Sequence, residues 1–277
     1  MTGAHSVRVF AVCHAAGAAP LAGLRGHAGG GAVRRLRAGA LAAVVQAVPA
    51  AEFTPEALRG HLSDRASLER FARAHHEVVA AVAAAGPAVP VPLTTLYADE
   101  DRARQAITEA APRFLAALKR VAGRDEWGVK VFATAPAGGG AEAAGGPPPA
   151  GTGRSGRAYL DLLRERQRAR ETRRDTVHAE VERIDAALRA CAADARRLRT
   201  HGPDLTGAQH PQVLNAAYLV DRSRSAELAA TVAALRGGTE RGAPLRIELT
   251  GPWAPYSFAE EDEQRPAERA GGGGGRP

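Results

Sequence analysis

The sequence predicts an α+β protein of two domains, and three observations carry that expectation. A chain of 277 residues, 45% of them hydrophobic, is long enough for two ordinary cores. Short alternating or continuously apolar runs are interleaved with longer stretches whose apolar residues recur at three and four residue steps. A Gly, Pro and Ala-rich segment near the middle has almost nothing to bury. The boundaries expected from these signals are a first domain over 1–134, a disordered linker over 135–156, a second domain over 157–258 and a disordered charged tail over 259–277.

The elements follow in order. Ser6 to Cys13, SVRVFAVC, alternates polar and apolar positions and reads as a strand; Leu41 to Val48, LAAVVQAV, is a continuous apolar run and reads as a more buried one. The glycine-punctuated stretch between them leaves room for a short strand near Val33 to Arg37. Thr54-Pro55-Glu56 supplies a cap, a proline at the first helical position and an acid in the first turn. That helix is expected to break near Gly60 to Asp64. A second helix runs from Ser67, with Leu68, Phe71, His75, Val78, Val79 and Val82 on one face, to Gly86-Pro87.

Pro90 and Pro92 confine VPVPLTTLY to a sheet edge. Asp99 caps a helix whose inner face holds Ile107, Phe114, Leu115, Leu118 and Val121. In RDEWGVKVFA, Trp127, Val129 and Val131 share one strand face and Gly128, Lys130 and Phe132 the other. A long helix is expected from Arg157, with a heptad seam of Val177, Val181, Ile184, Leu188, Cys191, Ala195 and Leu198. Run backward, the seam meets Leu160 and Leu163 but also Gln167, Arg170 and Arg174, so RERQRARETRRD reads as an exposed stretch. VLNAAYLV is the next strand, Asp221 opens a helix through Leu235, and PLRIELTG is the last strand. Leu245, Ile247 and Leu249 of that strand are expected inward.

Composition narrows the chemistry. The net charge of +7 and pI of about 10.2 admit an acidic partner, but the positive charge is nearly all arginine spread through helices and linkers alike. Nucleic acid is the disfavoured reading. The basic stretch Arg164 to Arg174 is diluted by Glu165, Glu171 and Asp175 and fits a solvated helix face. Cys13 and Cys191 have no CxxC context and read as buried thiols. No apolar run is long enough to span a bilayer, and the chain is expected to be cytoplasmic.

No catalytic group assembles. His75-His76-Glu77 lacks the three or four residue spacing of metal ligands on a helix, so His75 is expected to pack inward and His76 to face solvent. There is no GxSxG elbow and no GK[ST] after the glycines of AGLRGHAGGG. Asp99, Glu100 and Asp101 suit a helix N-terminus. The chain is expected to be no enzyme and to take no metal and no cofactor. With aromatics at 4%, each ring carries weight. Trp253, held between Pro252 and Pro255, is expected to lie over the second core as a structural clasp, extended by Tyr256 and Phe258.

ERFARAHHEVVAAV with VPVPLTTLYADED, then RDEWGVKVFA, then VLNAAYLVDR with PLRIELTGPWAPYSF, together resemble the successive signatures of the gas vesicle GvpF/GvpL family. One departure is that the family's Pro-Val-Arg-Phe-Gly-Thr type sequence is replaced here around Leu93 to Thr95. The resemblance implies two α+β domains, the second ferredoxin-like with a long added helix. It also implies an accessory protein of gas vesicle formation, partnered by the small hydrophobic shell protein and other accessory proteins. A minor component retained in the shell is the alternative, and a nucleic-acid-binding basic helix a third reading. The residues expected to meet a partner are Trp127 and Lys130 on the sheet and Val181, Ile184 and Leu188 on the heptad seam.

Overall fold

The computed structural model describes residues 5–17, 19–134, 156–200, 210–239 and 245–259. It divides into two compact units, one of residues 1–123 with 254–277 and one of residues 124–253.

The first unit is a sheet packed on both faces. β1 (His5–His14), β2 (Arg34–Ala38), β3 (Leu41–Pro49), β4 (Ala88–Pro90) and the short β5 (Leu96–Tyr97) form it, in the order β2-β3-β1-β4 with β5 also pairing β1, all antiparallel. A register shift between Val9 and Ala11 places Phe10 and Ala11 in the same core layer, which they share with Cys13 and Val44. That layer packs against Val78, Val79 and Val82 of α2 (Arg65–Ala85). The opposite layer, with Val7, Val9, Val12 and Val45, packs against Ala103 and Ile107 of α3 (Glu100–Glu109) and Phe114 and Leu118 of α4 (Ala111–Val121). Burial on both sides is why β3 is continuously apolar rather than alternating.

The caps act as the sequence requires. Thr54 accepts from Ala57 N at 3.2 Å at the start of α1 (Pro55–Ser63), Asp64 from Ser67 N at 2.8 Å at the start of α2, and Asp99 from Arg102 N at 2.8 Å at the start of α3. The single helix expected after Asp99 is two. Pro112 lies in the first turn of α4, where its missing N–H costs nothing, whereas inside one continuous helix it would clash with the preceding turn.

The second unit runs β6 (Arg124–Ala133), α5 (Gly156–Cys191), β7 (Asp194–Arg197), β8 (Gln212–Asp221), α6 (Ser225–Thr239) and β9 (Leu245–Trp253). Its sheet order is β7-β8-β6-β9, every pair antiparallel, and the βαββαβ succession is the ferredoxin-like arrangement. The expected domain boundaries are corrected by this pairing. RDEWGVKVFA is the first strand of the second sheet, not the last of the first, because β6 lies between β8 and β9. The segment 135–155 therefore falls within the second unit's β6–α5 connection; it and the tail from 260 lie outside the described residues. Residues 254–259 belong to the first unit.

The heptad seam also ends earlier than expected. α5 stops at Cys191, and Ala195 sits in β7, an unforeseen strand. There Ala193 N donates to Leu219 O at 2.8 Å and Leu198 N to Asn215 O at 2.7 Å. The last two seam residues suit a strand as well as a helix, so periodicity could not place the boundary. In β9, Leu245 and Ile247 are buried and Leu249 packs on the same core, as expected.

Candidate functional site

Of the expected contact residues, Ile184 and Leu188 occupy positions that a partner cannot reach, whereas Trp127 and Lys130 are half-buried and Val181 borders a groove. Val181, Ile184 and Leu188 are 5%, 0% and 0% exposed in the core of the second unit, against Val129, Val131, Ala216 and Tyr218. At Ile184 and Leu188 the seam is satisfied by the protein's own sheet, and this corrects the expectation that those two residues form a docking face. Trp127 packs on that same helix-covered side, where a Cβ on Gly251 would come within 3.1 Å of its ring. Lys130, half-buried, faces away from the helices with Phe132, over whose ring the Arg246 guanidinium lies at 4.8 Å.

The clasp divides as well. Phe258 is fully buried, and Arg120 Nη2 donates to its carbonyl at 3.0 Å. Tyr256 packs beside the α2 layer, and its hydroxyl lies 3.2 Å from His76 Nδ1. Trp253 is 43% exposed, so the ring is not a buried lid over the second core. Phe258 and Tyr256 close the first unit instead, since the chain crosses out of β9 after Trp253. The motif keeps its glycine for a local reason. Gly251 has φ of +127°, and a Cβ there would also sit 3.0 Å from Glu126 O.

Two unforeseen constellations stand out. One is a buried polar cluster in the first unit. Arg8 on β1 is fully buried, its guanidinium 5.7–5.9 Å from the rings of Phe10, Phe53 and Phe71, with Nη2 donating to Leu93 O. Burial lowers its pKa to about 10. His27 stacks on Phe10 at 5.6 Å, and His75 lies 5.5 Å from the same ring. Burial, with Arg8 nearby, takes His27 down to about 3 and His75 to about 4, so both are neutral near pH 7. His75 thus points inward, as its helical phase requires. The glycine-rich loop that carries His27 is folded around the buried Gln46. Its Oε1 accepts from His27 N at 2.8 Å, and its Nε2 donates to Arg25 O and His27 O at 3.1 Å and Gly31 O at 2.8 Å. The loop is a structural anchor rather than a phosphate cradle, because its glycines approach that amide. A Cβ at Gly26 or Gly30 would lie 2.5 Å from it.

The other constellation is open to solvent. Where α5 leaves the sheet, a groove of about 490 Å³ is lined by Ala133 at the end of β6, Val213 at the start of β8, Val177 and Val181 of α5, and Arg170, Arg173, Arg174 and His178. Its floor is aliphatic, its rim is cationic, and no carboxylate among the described residues lines it. Farther toward its N-terminus, from Leu160 to Thr176, α5 is exposed at every described position except Leu162, with Leu160 51% and Leu163 40% accessible. The sequence showed the relevant signal as an interruption: Arg170 and Arg174 continue the seam's own phase past the last buried valine, which places them over the groove. What periodicity lacked was the position of the strand ends beneath them.

Among the described residues, no group of three His, Cys, Asp or Glu could hold a metal ion, and no helix is long and apolar enough to cross a membrane. Cys13 and Cys191 are buried thiols.

The family model for gas vesicle synthesis protein GvpL/GvpF matches residues 7–260. "Gas vesicle protein L" of Streptomyces sp. (strain CB03234) is 40% identical over 239 residues, covering 84% of this chain and 86% of its own. The fold is similar to the crystal structure of the gas vesicle protein GvpF from Anabaena sp. PCC7120, with a TM-score of 0.62 at 13% identity over 93% of this chain and 97% of that one. GvpF from Microcystis aeruginosa superposes with a TM-score of 0.59 at 16% identity, over 92% and 99%.

Proposed function

This chain belongs to the gas vesicle GvpL/GvpF family, and on that premise we propose that it is an assembly factor that binds the small hydrophobic shell protein. A subunit that must turn an apolar face to gas is poorly soluble before assembly, and a partner that covers such a face keeps it available. The supporting observation is the aliphatic groove and its continuation along the exposed N-terminal half of α5, with Leu160 and Leu163 on the surface. The mode is contact without catalysis: the shell protein is held and passed on.

Co-expression tests this reading. With the full chain present, the shell protein is expected to shift into the soluble fraction and to co-purify with it. Shell protein that stays insoluble and uncaptured would defeat the proposal. Washed, intact vesicles that retain the chain in fixed proportion would instead identify a resident shell component.

A further inference from the structure

We propose that the groove beside α5 receives an acidic amphipathic helix of the shell protein, with aliphatic side chains on the floor and carboxylates on the arginine rim. The inference rests on the shell-protein reading above and specifies its chemistry. Arg170, Arg173 and Arg174 stand at helical spacing along one side of α5. Arg164, Arg183 and Arg189 of this helix are matched, to Asp161 at 3.1 Å, Glu180 at 2.5 Å and Asp185 at 3.0 Å, while Arg166 and Arg168, like the rim arginines, have no carboxylate partner among the described residues but do not line this groove. The three rim arginines have no carboxylate partner among the described residues. An anionic occupant satisfies three guanidiniums that the fold gathers and that have no carboxylate partner among the described residues.

The floor selects a helix over a strand. Ala133 and Val213 end the two central strands of the sheet, β6 and β8, which already pair with each other, and Ala133 N donates to Pro211 O at 3.0 Å. Among the described residues no unpaired strand edge lines the groove, so strand addition is unavailable and a helix laid in a groove is the fitting mode. From Arg170 to Val181 the α5 axis advances ~16 Å, which matches about three turns of an occupant. Carboxylates three and four residues apart beside a Leu or Ile stripe complement Arg170, Arg173 and Arg174 above Val177.

The test uses the full chain and two probes: purified shell protein, and a synthetic amphipathic helical peptide with a leucine stripe flanked by glutamates, beside a lysine-flanked control. Wild type is expected to bind the shell protein and the glutamate peptide, but not the control. The triple variant Arg170→Glu, Arg173→Glu, Arg174→Glu, checked for unchanged melting, is expected to bind both at least tenfold more weakly. Binding is also expected to weaken as salt shortens the screening length from ~10 Å at about 0.1 M to ~3 Å at about 1 M. Shell protein captured equally by wild type and variant overturns the groove while leaving the assembly role standing. Peptide captured by the rim without any shell-protein binding keeps the groove chemistry and removes the shell protein as its source, which overturns the proposal as stated. Dimerisation abolished by the triple variant, or DNA bound in preference to the acidic peptide, overturns it in favour of self-association or a polyanion.

Discussion

Tyr218, fully buried in β8, donates a 2.5 Å hydrogen bond to Asp185 on α5 and so ties the long helix to the sheet. The other carboxylate oxygen accepts from Arg189 Nε at 3.0 Å and from Arg197 Nε and Nη2 at 3.0 and 2.8 Å. Burial alone would raise the Asp185 pKa, but the donors from Tyr218, Arg189 and Arg197 outweigh it and hold the group below the usual carboxylate range. Burial and the bond to Asp185 push the Tyr218 hydroxyl up. Asp185→Asn leaves Arg197 and Arg189 facing an amide and is expected to cost about 2–3 kcal/mol. Urea unfolding of the second unit reads this, and an unchanged midpoint contradicts it. Because the folded pKa is depressed, the wild-type contribution is present above about pH 4 and is lost as pH falls through the folded value.

Ile184→Asp places a carboxylate at a site with 0% exposure. The expected result is loss of the folded second unit, at a cost of ~4 kcal/mol or more, seen as lost cooperative melting. A folded variant with selectively weakened partner binding would restore the seam as a contact.

Phe258 and Trp253 separate by burial, at 0% and 43% exposed. Phe258→Ala is expected to lower stability by ~3–5 kcal/mol through the cavity it leaves. Trp253→Ala, already half in water, should cost no more than about 1–2 kcal/mol. Thermal melts of the two variants side by side decide it, and equal shifts would refute the assignment.

Gln46 makes four hydrogen bonds to the loop over Arg25–Gly31. Gln46→Leu leaves the His27 N–H without its buried acceptor and takes a donor from the Arg25, His27 and Gly31 carbonyls, of which His27 O keeps the Gly30 N–H, and is expected to cost about 1–3 kcal/mol. Amide exchange of the loop should accelerate well beyond that of β1, and protection that is retained would count against the anchor.

His27 and His75 give the first unit a distinct acid sensitivity. Their folded pKa values, about 3 and about 4, lie below the unfolded value near 6.5. Between those limits the unfolded chain binds protons that the folded one refuses, so stability falls as pH drops from about 6.5 to about 4, by on the order of 5 kcal/mol. The decline begins before ordinary carboxylates titrate. His75→Phe should flatten the slope of unfolding free energy against pH over that interval; a slope unaltered by the substitution assigns the sensitivity elsewhere.

The sequence by itself determined the α+β class, the strands β1, β3, β6, β8 and β9, the capped helix starts at Thr54 and Asp99, and the inward face of β9. Those features depend on residues near one another in the chain: alternation, helical spacing, a cap three residues from its amide. The motifs around Trp127 and Trp253 also carried the family. Only the tertiary structure decided which sheet β6 joins, because strand pairing across some eighty residues leaves no mark on the strand's own pattern. It also decided that the Val181, Ile184 and Leu188 stripe faces the protein's own sheet. An apolar stripe records that a helix buries a face, but not against what. For the same reason Arg170, Arg173 and Arg174 read as a solvated face until the ends of β6 and β8 placed an aliphatic floor beside them.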